Sequence, residues 1–217
     1  MNQPATTVNP LGDEAITISF TGPADLRLNS QVQLLARRLA AAGLPELQEV
    51  VPAFSSLTVF YDPLYIDYQD FLKHLKPLLE QPLEAATEAM KLHRVPVHYH
   101  GPDLEAVARQ AGISVSKVID LHANRPYRVL SLGFVPGFAY LGPLDDRLVL
   151  ARRPSPRTRV PAGSVAIAGS QTAIYPLETP GGWHLIGNTS VTMFDPDRVP
   201  PTLFSPGDQV IFEPDLS

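Results

Sequence analysis

The sequence predicts an α+β chain in two parts: a ferredoxin-like domain over residues 1–100, then a mostly β domain over residues 101–217 that opens with a helical connector. Two observations predict it. The first hundred residues alternate between period-two and period-3.6 apolar patterns in the order β-α-β-β-α-β, the split βαβ arrangement of one sheet with two helices. From Pro126 onward the chain carries 13 of its 23 prolines, and residues 133 to 207 carry 9 of its 14 glycines, with short apolar runs between them. That spacing suits a small barrel or sandwich.

Glu14 to Phe20 places Ile16, Ile18 and Phe20 on one side after a Gly12-Asp13 turn, and reads as the first strand. Residues 1 to 10 read as a frayed or docked tail. The first helix opens at Asn29 or Ser30 as N-cap, carries Val32, Leu35, Leu39 and Ala42 on one stripe, and ends before Gly43. Leu47 to Phe54 and Leu57 to Tyr61 are two strands that meet at Ser55-Ser56. Asp67 caps a second helix with Phe71, Leu72, Leu75 and Leu79 on one face, which Pro77 bends or ends. Leu92 to Tyr99 supplies the last strand of the first domain. The connector is two short helices, Asp103 to Ala111 and Ser114 to Ala123, parted by Gly112 at a C-capping position. The β runs beyond it are Tyr127 to Leu132, Ser164 to Ala168, Thr172 to Tyr175, Trp183 to Ile186, Ser190 to Phe194 and Gln209 to Glu213.

Composition narrows the chemistry. The absence of cysteine excludes disulfide scaffolds, thiolate zinc centres, iron–sulfur clusters and cysteine nucleophiles. A net charge of −5 argues against general binding to nucleic acid or anionic membrane. No apolar run approaches the ~18 residues of a membrane span, and Met1 to Pro10 lacks the basic start and apolar core of a signal peptide. A cytoplasmic protein is the expectation. The Gly- and Lys-bearing phosphate loop, the dinucleotide Gly-x-Gly-x-x-Gly and the Gly-x-Ser-x-Gly nucleophile turn are all missing, which disfavours a self-contained kinase or hydrolase of the common types.

What remains lies mostly in the second half. His98 and His100, at i and i+2, share one face of a strand as a metal pair does, but no third ligand is obvious and no metal site is expected. Arg147, Arg152, Arg153, Arg157 and Arg159 fall within thirteen residues, with no acid between Asp146 and Glu178. They are either a solvated loop paired to distant acids or a site for a carboxylate or phosphate, which guanidinium binds bidentately. Arg157 and Arg159 point to the same side if Thr158 is extended, and so converge on one anion; Arg152, outside that run, is expected to be a solvated charge. Glycine and proline clusters at 133 to 142, 161 to 169 and 179 to 188 either turn barrel corners or bring backbone amides to a ligand. Trp183 and His184 are strand neighbours, so one faces the interior and the other a cleft or solvent. His184 is the candidate proton shuttle.

Three segments carry a resemblance: Gly133-Phe134-Val135-Pro136-Gly137-Phe138-Ala139-Tyr140-Leu141-Gly142, Pro156 to Gly169, and Pro180 to Gly187. They resemble the 5-oxoprolinase B-subunit family, also called KipI or allophanate hydrolase subunit 1 and related to part of the carboxyltransferase region of urea carboxylase. Gly12-Asp13-Glu14-Ala15, Val51 to Leu57 and Tyr61-Asp62-Pro63 extend the likeness over nearly the whole chain. The resemblance implies a cyclophilin-like barrel for the second domain. It also implies a protein that works with the A- and C-subunits of the enzyme to open 5-oxoproline to L-glutamate. ATP is then the co-substrate, with magnesium in the assembled complex, and this chain alone holds no cofactor. Within the matching segments His184, Arg157 and Arg159 are expected as catalytic groups, and Gln171, Thr172, Gly181, Gly182, Phe134 and Phe138 as the substrate-binding set. Two other activities stay open: a KipI-type inhibitor of a sensor histidine kinase, or a carboxyltransferase subunit of a biotin-dependent urea or amide carboxylase. The chain departs from the family pattern at Ser170 and Ala173, where glycine is usual, and at Asn188, where arginine is usual, which predicts one positive charge fewer in the site.

Overall fold

An antiparallel pair, β1 (Thr6–Pro10) and β2 (Ala15–Phe20), opens the first of two units, residues 1–89 and 90–217, in the computed structural model. It describes residues 6–23, 25–83, 90–123 and 125–215. Part of the expected tail is therefore an edge strand. Helix α1 (Leu26–Ala41) is capped by Asp25, whose carboxylate accepts the Leu28 amide at 2.8 Å. Asn29, expected as the cap, is buried one turn later, and its amide donates to the Phe54 carbonyl at 3.1 Å. The hairpin β3 (Leu47–Pro52) and β4 (Ser56–Tyr61) follows, then α2 (Tyr68–Glu80). Pro77 does not end α2, because Arg38 of α1 donates to the Leu78 and Gln81 carbonyls and holds the last turn. Ile16, Ile18, Leu57 and Val59 pack against Val32, Leu35, Leu39, Phe71 and Leu75.

The strand order is β1-β2-β4-β3, and here the expected boundary at residue 100 is corrected. The strand that follows α2, β5 (Leu92–Val97), does not join this sheet; β1 occupies the edge that the split βαβ order reserves for it. Instead β5 lies parallel to the last strand of the chain, where Val95 and Val97 bury beside Val210 and Phe212. Apolar pairing decides its sheet. The second unit continues with α3 (Leu104–Ala111), α4 (Val115–His122), β6 (Pro126–Leu132), β7 (Ala139–Gly142), β8 (Arg157–Val160), β9 (Ser164–Ala168), β10 (Gln171–Ile174), β11 (Thr179–Gly181), β12 (His184–Asn188) and β13 (Gln209–Pro214). Gly112 takes the left-handed conformation that closes α3, as its position predicts. Ser190 to Phe194, expected as a strand, contributes only a bridge from Phe194 to Thr202.

This unit is mostly β. Its main sheet runs β12-β9-β10-β7-β6-β13-β5, with β8 and β11 forming a separate ribbon. The chain leaving β5 then returns along β12: His98 and Asn188 exchange both backbone hydrogen bonds, at 2.9 and 3.0 Å, and the Gly101 and Asp103 amides reach the Ile186 and Leu185 carbonyls. The two edges of the sheet are thereby joined. A Cβ on Gly101 would lie 2.3 Å from the Leu185 carbonyl oxygen, and one on Gly187 would lie 2.7 Å from that of His98, so the closure demands glycine on both sides.

Asp103, at the start of α3, secures the seam. One carboxylate oxygen accepts the Leu185 amide at 2.7 Å, and the other takes Arg153 at 2.9 Å and Arg157 at 2.8 Å. Burial pushes this carboxyl up, but the Arg157 hydrogen bond, the Leu185 amide and the charges of Arg157 and Arg153 outweigh it and hold it below its ordinary value. Removing it leaves two guanidinium groups without their counter-charge, so Asp103→Ala is expected to cost about 2–4 kcal/mol. A lowered folded value means that the stabilisation is complete above the ordinary carboxylate range and is lost as pH falls through the folded value. Urea unfolding of wild type and Asp103→Ala should therefore differ strongly at pH 7 and progressively less below about pH 4; a difference unchanged down to pH 3 would contradict this role.

Candidate functional site

The loop joining β6 to β7 is tightly tied. The Gly133 amide reaches the Phe138 carbonyl at 3.1 Å, and the Phe138 amide reaches the Val135 carbonyl at 3.0 Å. Gly137 has φ +82°, and a Cβ there would stand 2.6 Å from the Phe194 Cβ. Phe134 has φ +69°, a left-handed conformation that side chains rarely adopt, and its ring is 59% exposed. Strain of this kind persists where the surroundings dictate it, which is common in ligand clamps.

Behind Phe134 the aromatic side chains meet edge to face. Phe138 contacts Phe134 at 5.3 Å, Tyr140 at 4.9 Å, Tyr175 at 5.3 Å and Trp183 at 5.7 Å between ring centroids. Phe134, Phe138, Tyr140, Tyr175, Trp183, Arg152, two prolines, Gly181 and Gly182 line a cleft of about 260 Å³. Gly181 is dictated by its neighbour, since a Cβ there would fall 2.3 Å from the Tyr175 hydroxyl. Burial pushes the Tyr175 phenol up, which the amide of Trp183 at its oxygen partly opposes. Arg152 is exposed, it is the one charged side chain in the lining, and among the described residues no acid pairs with it. The cleft is an apolar slot with a single cation.

Four of the expected residues line this cleft: Phe134, Phe138, Gly181 and Gly182. The three expected catalytic groups do not. Arg157 is bound to Asp103 through Nη2, with Nη1 buried without a partner, and Arg159, 76% exposed, is bound to Glu178 at 2.6 Å. They pair with different acids, Arg157 with the Asp103 it shares with Arg153 and Arg159 with Glu178, rather than converging on one anion. His184 is buried, and its Nε2 donates to the Ala151 carbonyl at 2.9 Å, while Nδ1 is enclosed without a partner. Of the strand neighbours, Trp183 faces the cleft. Arg152, expected as a solvated charge, is exposed and is also the arginine in the lining.

Gln171 and Thr172 stand at the opposite end of β10 from Tyr175; four residues of extended chain are about 13 Å. Thr172 is fully buried. Its hydroxyl donates to the Ala166 carbonyl at 3.0 Å, so it accepts from Nε2 of His122 at 2.7 Å, and Nδ1 of His122 accepts the Tyr99 hydroxyl at 2.7 Å. Burial pushes the His122 imidazole down to about 3, helped by the Arg125 charge, so the ring is neutral. Thr172 therefore satisfies a core histidine. Asn188 lies at the far end of β12 from Trp183, bridged to His98, so the arginine missing there removes no charge from the cleft. Ala173 is buried in β10 opposite Ala166, without positive φ. His98 pairs with Asp215 at 3.2 Å, and among the described residues no three metal-ligating side chains come together. Likewise, among the described residues, no helix is long and apolar enough to cross a membrane.

Residues 6–204 match the family described as carboxyltransferase domain, subdomain C and D. The 5-oxoprolinase B-subunit of Bacillus subtilis (strain 168) is 41% identical over 223 residues, covering 94% of this chain and 91% of that protein. The 5-oxoprolinase B-subunit of Escherichia coli O157:H7 is 41% identical over 207 residues, covering 94% of each. Among solved structures, TTHA0988 superimposes with a TM-score of 0.83 at 39% identity over 94% of this chain, which spans 40% of that longer protein. A carboxyltransferase-domain match over most of the chain, together with near-full-length relatives of one kind, places this chain in the 5-oxoprolinase B-subunit family.

Proposed function

We propose that the aromatic cleft binds 5-oxoproline and that the chain is the substrate-holding part of an ATP-dependent 5-oxoprolinase assembled with its A- and C-subunits. The observation that carries this reading is Arg152, a guanidinium without an acid, set in a wall of Phe138, Tyr140, Tyr175 and Trp183. 5-Oxoproline is a flat five-membered ring with one carboxylate and a neutral nitrogen. Its carboxylate suits the two-donor fork of Arg152, and its ring suits the aromatic faces. L-Glutamate carries an ammonium group and a second carboxylate, and the lining offers no acid to the first. The cleft favours substrate over product.

A lactam is a resonance-stabilised amide and a poor electrophile. ATP, bound in the assembled complex with its magnesium, would supply a phosphoryl group to the lactam oxygen, leaving ADP, so that water can add at the carbonyl carbon and phosphate can leave as the ring opens. This chain's residues hold the ring and keep bulk water from it: Phe134 at the mouth, Phe138 and Trp183 within, Arg152 on the carboxylate. In this reading the first unit is a ferredoxin-like domain whose edge strand is β1, and the second is a cyclophilin-like barrel.

Two measurements test it. In the complex reconstituted with homologues of the A- and C-subunits, Arg152→Ala should raise KM for 5-oxoproline about 10-fold or more, the worth of a charge-assisted hydrogen bond in a partly dry site. Arg152→Lys should recover part of the loss and Arg159→Ala should change little, since Arg159 is engaged by Glu178; an unchanged KM in Arg152→Ala rejects the reading. In light scattering after co-expression, this chain and a C-subunit homologue should elute as one species, and separate elution of the two folded proteins at micromolar concentration rejects the assembly.

A further inference from the structure

We infer that His184 is a positioning residue: by holding the Ala151 carbonyl it keeps the Arg152 guanidinium in the cleft wall. The inference rests on the cleft being the 5-oxoproline site, and it concerns how the one cation of that site is kept there.

Residues 151 to 153 belong to no strand or helix, so no ladder fixes their backbone. Upstream, Leu150 is bridged to Gly169. The residues on either side of Arg152 are then tied to the segment that carries Trp183. On one side, Nε2 of His184 donates to the Ala151 carbonyl at 2.9 Å. On the other, the Arg153 amide donates to the Gly182 carbonyl at 2.8 Å, and the Arg153 guanidinium meets Asp103, whose second oxygen holds the Leu185 amide. Arg152 is the residue between two anchors. Its own side chain has no acid among the described residues, so its placement depends on where its backbone is held.

The environment of His184 supports a directed role rather than packing alone. The residue is 5% exposed, and its Nδ1 is buried with no hydrogen-bond partner. An enclosed, unsatisfied nitrogen is a cost that a leucine or phenylalanine of similar volume would not carry. What the imidazole offers in return is the Nε2–H bond to Ala151, since a carbonyl oxygen can only accept. The anchor on the Arg153 side is charged and doubly made, whereas Ala151 itself is held by this single bond, with the next tie one residue upstream where the Gly169 amide donates to the Leu150 carbonyl at 2.7 Å, so removing it frees the two residues Ala151 and Arg152 between the Leu150 and Arg153 ties. Proton transfer by His184 is not needed, and the ring does not line the cleft.

The single tryptophan of the chain lies in the cleft, so Trp183 fluorescence reports 5-oxoproline binding by the full chain directly. Four proteins form a cycle: wild type, His184→Phe, Arg152→Ala, and the double variant. His184→Phe keeps the volume and loses the donor, and it is expected to weaken 5-oxoproline binding about 10-fold in wild type but less than ~2-fold in the Arg152→Ala background. His184→Gln, whose amide nitrogen takes the place of Nε2, should bind within about 3-fold of wild type. Equal losses in both backgrounds would make His184 a packing residue and overturn the inference, as would wild-type binding by folded His184→Phe. If Arg152→Ala itself binds like wild type, the substrate reading fails and the inference fails with it, a result distinct from additivity. His184→Asn, too short to reach the Ala151 carbonyl, makes the same comparison if His184→Phe does not fold.

Discussion

One buried carboxylate organises the second unit. Asp103 accepts from the backbone of β12 with one oxygen and from two arginines with the other, so a single side chain joins the start of α3, the closing strand of the sheet and the segment bearing the cleft's charge. Alternatives in local sequence are poor. The arginine-rich stretch contains no acid between Asp146 and Glu178, so neutralising Arg153 and Arg157 requires a carboxylate from elsewhere in the chain. Asp103 is delivered by the return of residues 98 to 103 along β12, and that return is possible because Gly101 and Gly187 leave room for backbone against backbone. Closure of the sheet and the pairing of Arg153 and Arg157 with Asp103 are one event.

The arginines sort by counter-charge. Arg147 forms a two-bond pair with Asp145, Arg153 and Arg157 share Asp103, and Arg159 holds Glu178. Arg152 is the member of this group that faces the cleft without an acid. An acid partner offsets part of the charge of each of the other four, so the count of acids within reach, not the density of arginines, leaves Arg152 as the one with no acid beside it. Two positive charges on one aspartate also leave net positive charge beside the cleft, which favours an anionic ligand at short range.

Legibility in the sequence followed the range of the interactions. The period-two and period-3.6 patterns placed most elements, because Ile16, Ile18 and Phe20, or Phe71 and Leu75, bury through local spacing. The four expected residues that line the cleft, Phe134, Phe138, Gly181 and Gly182, lie in segments whose glycine and aromatic content is itself the constraint. Readings that depended on distant partners did not survive. β5 reads locally as a strand, yet its sheet is chosen by β13, more than a hundred residues away. Arg157 and Arg159 share a side of β8 as their spacing requires, but Asp103 and Glu178 claim them separately. Thr172 sits in a family-like run, and only the fold shows that His122, fifty residues earlier, has taken its hydroxyl.

In the proposed function the aromatic lining is what would let a single charge suffice. In water an arginine–carboxylate pair is worth little, because solvent screens it and two mobile side chains must be held. A carboxylate bound as proposed against Phe138, Tyr140, Tyr175 and Trp183 would meet fewer waters on that side, and an arginine whose backbone is tied on both sides has less freedom to lose. The same walls set the cost of error: a ligand bringing a second charge must bury it against rings that offer no acid. Rigidity at the mouth completes the arrangement, since Phe134 is held in a strained conformation by hydrogen bonds within its own loop and by the close seat of Gly137 on Phe194. In the proposed function, selectivity for a compact monoanion would rest on three features that depend on one another: aromatic walls, a cation held by its backbone neighbours rather than by an acid, and a strained aromatic in the lining.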